Sequence, residues 1–225
     1  MNYGRLAIVI IGIIILSAVS GCGGGGNGGG GSTLPSPWLH RDIGTGMPAG
    51  SASYQNGTFT ITGAGNILPL NKDQLHFVYQ TINGDFTIIA RITSMQKTKK
   101  FASAGLMIRN NLEPNSQMVK FYVSYISDVS SPPYHCSFGS RMEIDSNFSS
   151  GGEDIQEIPI YLKLVRNGNV FSGFYSADGN TWTPSFYNSY TVAMSDPVYV
   201  GMFVFSYDEN TLETDTFDNV AISKS

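Results

Sequence analysis

The sequence predicts an all-β fold, two antiparallel sheets packed as a sandwich or jelly roll. Three observations carry that reading. Apolar residues alternate with period two over ten short segments, the pattern of strands that bury one face. Turn residues separate most of these segments. No window holds a 3.6-residue apolar period, so no helix is expected.

The segments follow in order. Over Thr58 to Thr62, Phe59 and Ile61 alternate with threonines. Leu75 to Tyr79 comes next, and its alternation turns His76 toward solvent or a cleft. Asp85 to Thr93 contains Phe86, Ile88, Ile89 and Ile92. Ala104 to Arg109, Met118 to Ile126 and His135 to Ile144 follow. Ile158 to Val165 sets Ile160, Leu162 and Leu164 on one face. Val170 to Tyr175, Val198 to Tyr207 and Thr214 to Ile222 complete the set. Asn167-Gly168 between two alternating runs marks a tight hairpin, because these residues tolerate the positive φ it requires. Asp178-Gly179-Asn180 marks another turn, and Pro114-Asn115 and Pro132-Pro133 mark loops. Glu153, Asp154 and Glu157 sit among glycines and Pro159, which reads as a loop with solvated acids. Lys97, Lys99 and Lys100 read as a solvated turn.

The first residues have a different character. Leu6 to Leu16 is an apolar run of eleven residues behind Arg5. Spanning a bilayer core takes about 20 residues, so the run suits a signal peptide. Val19-Ser20-Gly21-Cys22 resembles a lipobox, where lipoprotein signal peptidase of bacteria cuts before a lipid-bearing cysteine. Residues 23–31 are glycine except for Asn27, a flexible coil. The expected organisation is therefore a signal peptide over 1–21, lipidated Cys22 with its tether over 22–35, and one β-domain over 36–225. The expected place is the cell envelope, lipid-anchored outside the cytoplasm. Gly23 after the anchor favours an outer-membrane or surface position over inner-membrane retention.

A domain of this length buries a full core without disulfides. Once Cys22 is lipidated, Cys136 is the one cysteine left, and it reads as a small buried hydrophobe. Net charge is −4, or −5 after Arg5 leaves with the signal, which argues against nucleic acid as a partner. Charged residues are only 13% of the chain against 12% aromatics, a balance that suits an exported β-protein.

Several motifs together resemble a known family. They are Trp38 with Asp42-Ile43-Gly44, Phe77-Val78-Tyr79-Gln80, Gly84-Asp85-Phe86 and Ala104-Gly105-Leu106-Met107-Ile108-Arg109. Leu162-Lys163-Leu164-Val165-Arg166, Ser176-Ala177-Asp178-Gly179 with Trp182, and Phe217-Asp218-Asn219-Val220 complete the series. Their order is similar to bacterial concanavalin A-like lectin/glucanase domains, the domain of unknown function 1349, some of whose members are called regulation-of-enolase proteins. The resemblance runs from about Trp38 to Ile222. It implies a two-sheet concanavalin A-like jelly roll whose first and last strands are neighbours. It also implies glycan binding, by analogy of fold alone.

Catalytic patterns are incomplete. A jelly-roll glucanase of this type needs two carboxyls about 5 Å apart on one strand. Glu143-Ile144-Asp145-Ser146-Asn147-Phe148 offers the first acids but ends in Phe148 where the proton donor belongs. His40, His76 and His135 sit in no nucleophile motif and have no zinc spacing. Ser176 to Trp182 resembles the sialidase Asp-box shortened by one residue, a turn stabiliser in which Asp178 accepts from the backbone. No cofactor is expected. Calcium is the one ion the resemblance leaves open, with no ligand assigned, because an EF-hand-like series is lacking. Asp42, Asp85 and Asp218 are read as caps of backbone N–H groups.

Sugar rings stack their C–H faces on aromatic side chains, and polar groups set their orientation. The ligand-binding candidates are Arg109, Tyr79, Tyr125, Tyr134 and Trp182, with Tyr187 and Tyr190 behind them. The expected function is a membrane-tethered lipoprotein displaying a non-catalytic sandwich that binds carbohydrate or a cell-envelope polysaccharide. It contacts the membrane through its lipid anchor only. Two alternatives stand beside it, a structural or protein-interaction lipoprotein and a glycan-cleaving jelly-roll enzyme.

Overall fold

A computed structural model describes residues 33–66, 70–129 and 131–225. The signal peptide, Cys22 and the glycine tether read from the sequence lie outside the described residues. The described chain folds as fourteen strands without a helix. In chain order these are β1 (Leu39–Ile43), β2 (Ser51–Gln55), β3 (Thr58–Gly65), β4 (Leu75–Ile82), β5 (Phe86–Met95), β6 (Ser103–Arg109) and β7 (Met118–Tyr125). They continue as β8 (Tyr134–Arg141), β9 (Ser149–Ile155), β10 (Ile160–Asn167), β11 (Val170–Ser176), β12 (Thr183–Thr191), β13 (Val198–Phe205) and β14 (Asp208–Lys224).

The strands form two antiparallel seven-stranded sheets. The first has the order β1-β4-β13-β6-β7-β8-β9, the second β12-β11-β10-β5-β14-β3-β2. This is the expected two-sheet jelly-roll sandwich. The expected segments at Thr58 and Thr214 fall on β3 and β14, which pair through Phe59↔Phe217 and Thr62↔Thr214.

Period-two alternation builds the core between the sheets. Leu106, Ile108, Phe121, Phe138, Val200 and Met202 of the first sheet meet Ile88, Ile92, Leu162, Leu164, Phe171 and Phe217 of the second. Cys136 is buried in this core with a free thiol, as the sequence suggested, and burial pushes that thiol well above its usual range.

Four strands exceed the ten expected: β1, β2, β9 and β12. Each is an edge strand, and β2, β9 and β12 bury little. With few apolar residues to alternate, they show no periodicity. The β2–β3 hairpin carries a turn dipeptide that the sequence reading passed over. Asn56-Gly57 joins its strands, and both residues have positive φ, 51° and 87°, the requirement of a two-residue primed turn. The other Asn-Gly hairpin turns one residue later than the dipeptide suggests. Asn167 pairs with Val170, so Gly168 and Asn169 form the loop.

Two further expectations are corrected. Glu153 and Asp154 belong to β9 and pair with Cys136 and His135, so they are strand residues. Residues 142–145 lie beyond β8 in a turn, which leaves the Glu143 acid series off any strand.

Candidate functional site

The outer face of the first sheet, turned away from the core, carries the unusual chemistry. Strand register sets its side chains in rows. One row runs Phe205, Ser103, Ser124, His135 and Asp154. The next runs Phe77, Phe203, Gly105, Tyr122 and Ser137. A third holds Tyr79, Gly201, Met107, Lys120 and Gly139, and a fourth Tyr199, Arg109, Met118 and Arg141. A face that should meet water is thus half apolar, and loops fold back to cover part of it.

Two glycines make this covering possible. A Cβ on Gly105 would lie 2.5 Å from the Tyr122 Cβ. One on Gly139 would lie 2.5 Å from the Phe148 ring, which reaches over from the loop before β9. Without side chains there, both rings lie close on the sheet.

At the fourth row sits a buried ionic knot. Asp73 accepts from Arg109 Nη1 at 3.1 Å and from Arg141 Nη1 and Nη2 at 3.0 and 2.9 Å. Arg109 also donates to the carbonyl of Asn111 at 2.9 Å, and Arg141 to those of Leu70 and Ser116 at 3.1 Å. Burial pushes the Asp73 carboxyl up, but the two guanidiniums outweigh it and hold it below the usual carboxylate range. The knot ties the loop after β3, the β6–β7 loop and β8 together.

Lys120 lies one row away and is 2% exposed. Its ammonium sits among four rings, 4.1 Å from the Phe148 centroid, 5.0 Å from Tyr122, 5.5 Å from Phe205 and 5.7 Å from Phe203. Desolvation pushes its pKa down to about 8.

Beyond the rings opens a groove of about 320 Å³. Its walls are the rings of Phe101, Tyr122, Phe205 and Tyr207, and hydroxyls of Ser103, Ser124, Ser137 and Ser150 line it. Phe101 and Tyr207 meet edge to face at 5.2 Å. Ser103 donates to the Phe101 carbonyl at 2.8 Å and lies 2.7 Å from the Ser124 hydroxyl. His135 stands on the rim, its Nδ1 2.7 Å from Asp154. No Asp or Glu lines this groove. A cavity of about 390 Å³ beside Asp73, lined by Lys72, Gln74, Glu113 and Glu209 among others, contains no aromatic ring. Among the described residues no group of three or more His, Cys, Asp or Glu could hold a metal.

The sequence candidates do not converge. Arg109 and Tyr79 lie on the outer face of the first sheet but are buried, Arg109 in the knot and Tyr79 stacked on Phe77 at 5.3 Å. Tyr134 is in the inter-sheet core, and Tyr125 packs at its end, its hydroxyl accepting from the Asp128 N–H at 2.9 Å. Trp182 lies in the β11–β12 loop, just before β12, where the Lys163 ammonium of the second sheet stands 4.0 Å from its centroid. Tyr187 and Tyr190 cluster on β12, 5.8 Å apart. His76 is buried, bonded to Asp42 at 2.6 Å and to His40 at 3.0 Å, so it faces neither solvent nor cleft. Asp42 and Asp85 do cap backbone groups, those of Gly50 and Gly168. Asp218 instead pairs with Arg91. Asp178 accepts from the Asn180 and Thr181 N–H groups at 2.8 Å, which holds it at about 2, and its role is to fix the turn.

The sequence reading passed over the serines and Lys120. The signal was available: Lys120 sits at an outward position between Met118 and Tyr122, and Ser103, Ser124 and Ser137 alternate with core residues on adjacent strands.

With the geometry in place, comparison assigns the chain. A family model described as a protein of unknown function, DUF1349, matches residues 55–225. The chain belongs to this family. No curated protein is similar to it in sequence. Among solved structures it resembles a functionally unknown protein from Saccharomyces cerevisiae, with 16% identity over 84% of this chain and 95% of that one and a TM-score of 0.62. It also resembles the GH43 protein BlXynB from Bacillus licheniformis, at 15% identity and a TM-score of 0.63 over 86% of this chain. Only 38% of that longer protein is covered. A legume lectin-like domain from Entamoeba histolytica matches at 7% identity over 84% of this chain and 90% of that one, with a TM-score of 0.55. These likenesses support the jelly-roll fold.

Proposed function

We propose that this DUF1349 protein is a lipid-anchored, exported display module that binds carbohydrate non-catalytically in the groove on the outer face of its first sheet. The observation that carries the reading is the groove's lining, aromatic rings interleaved with serine hydroxyls and free of carboxylates. Ring faces suit the C–H faces of a pyranose, and hydroxyls and His135 suit its hydroxyl groups. Glycoside cleavage needs two carboxyls about the scissile bond, and the groove supplies neither. Lectin-like and GH43 relatives by fold add the weight of analogy to a carbohydrate ligand.

The binding test is an array of cell-wall and capsular polysaccharides. Saturable binding to one class is expected, weakened at least about tenfold by Phe101→Ala or Tyr207→Ala, which each remove a contact worth about 1.4 kcal/mol or more. Phe101 is 38% exposed and Tyr207 half-buried, so both variants should fold. A folded protein that ignores every glycan would move the assignment to a protein-interaction role.

Anchoring is tested separately. Metabolic labelling with a clickable fatty acid should mark the wild-type protein in the envelope fraction. Cys22→Ser should lose the label and abolish cleavage before residue 22. Equal labelling of both would refute the lipobox reading.

A further inference from the structure

We infer that the groove selects an anionic sugar, a uronate or a sulfated residue, because a buried ammonium that has no ion-pair partner stands directly behind two of its aromatic walls. This deepens the carbohydrate reading and rests on it.

The position of Lys120 comes first. Its Cα belongs to the third row of the outer face, yet its Nζ lies within 6 Å of rings from the second row, Phe203 and Tyr122, and from the first, Phe205. The side chain therefore leans along β7 toward the groove. Tyr122 and Phe205 are at once walls of the groove and walls of the ammonium's cage.

Its lack of an acceptor comes second. Buried ammonium groups are ordinarily paired or hydrogen-bonded, since desolvation otherwise costs several kcal/mol. Lys120 makes neither an ion pair nor a hydrogen bond among the described residues, only contacts with ring faces. Cation–π attraction offsets part of the cost but uses none of the three N–H donors.

The local charge comes third. Asp73 is the one carboxylate buried among Arg109, Arg141 and Lys120, and both of its oxygens are taken by the arginines. Three cations against one anion leave a charge of +2 in this buried cluster, whose member nearest the groove is Lys120, on a chain whose formal net charge is −4. A low-dielectric wall strengthens that field. The ligand chemistry that suits hydroxyls and ring faces with a positive charge close behind them is a sugar bearing a carboxylate or sulfate.

The test uses the full-length protein and matched ligands in titration calorimetry. Oligogalacturonate and its fully methyl-esterified form share a backbone and differ in charge, and a sulfated galactan with its desulfated form repeats the contrast. A panel of neutral glucans and xylans stands beside them. At least about tenfold tighter binding of one charged form over its neutral partner is expected, weakening as salt rises. Lys120→Met, which keeps the apolar stem, should bring the charged-to-neutral ratio close to one. Equal affinity for charged and neutral partners, or a ratio untouched by Lys120→Met, overturns the inference and leaves carbohydrate binding standing. Binding confined to neutral glucans or xylans does the same. Silence toward every saccharide removes both.

Discussion

Asp73→Ala should lower the stability of the domain by about 3–5 kcal/mol, the usual consequence of deleting one partner of a buried ion pair. The reason is what stays behind. Arg109 and Arg141 are 0% and 1% exposed, and each places Nη1 on Asp73, with Arg141 adding Nη2. Removing the carboxylate strands two guanidiniums beside Lys120, with like charges facing one another in a low dielectric. Backbone carbonyls of Asn111, Leu70 and Ser116 would still accept from them but cannot neutralise them. Urea unfolding at pH 7 measures the loss as a lower midpoint at similar slope. The sign of the pH dependence follows from the same contacts. The Asp73 carboxyl titrates below its ordinary value when folded. Its stabilisation is therefore complete above the unfolded carboxylate range and is lost as pH falls through the folded value. Wild type and variant should thus converge in strongly acidic solution. A control separates ion pairing from packing, because replacing all three residues by apolar ones of similar volume should cost much less than Asp73→Ala alone. A midpoint unchanged in Asp73→Ala would refute the knot as a structural element.

The sequence revealed the sandwich far better than the site, and particular residues show why. Ile160, Leu162 and Leu164 alternate because one face of β10 is buried and the other is not. Such a pattern is local and survives in the one-dimensional chain. Every residue of β6, and every residue of β7 except Tyr125, is buried, since the outer face is also covered. Met107, Lys120 and Tyr122 then look like ordinary outward positions until the loops that cover them are placed. Phe148 illustrates the point. In the sequence it spoils a glucanase motif, whereas in the fold it closes the aromatic cage over Lys120.

Arg109 shows the opposite error. Its place at the end of an alternating strand correctly sets it on the outer face, but its partner Asp73 is 36 residues away in a loop. No local pattern announces such a pairing. Trp182 and Tyr134 are the large aromatics that attract attention in a list, yet one packs on Lys163 and the other in the core. The groove instead uses small hydroxyls from four strands, which carry no signal singly and gain meaning only through register.

Lys120→Met should raise stability by about 2 kcal/mol at neutral pH, an increase where most core substitutions cause a loss. Lowering the ammonium from 10.5 to about 8 means the folded state holds this proton less tightly than the unfolded chain. Each unit is worth about 1.4 kcal/mol, so the shift corresponds to about 3 kcal/mol, of which the four rings return a part through cation–π attraction. Methionine keeps the stem, fills the cage and carries no charge. The pH profile gives a second, independent sign. Between the folded and unfolded values the unfolded chain binds the extra proton, so wild-type stability rises as pH climbs from about 8 toward 10.5. That rise should be missing from the variant, and the two curves should approach each other at alkaline pH. Denaturant midpoints at pH 7, 8, 9 and 10 decide it. A variant less stable than wild type at pH 7 would mean the ammonium is a structural asset. A more stable one means the fold tolerates a costly charge, and a protein retains such a charge where a ligand uses it.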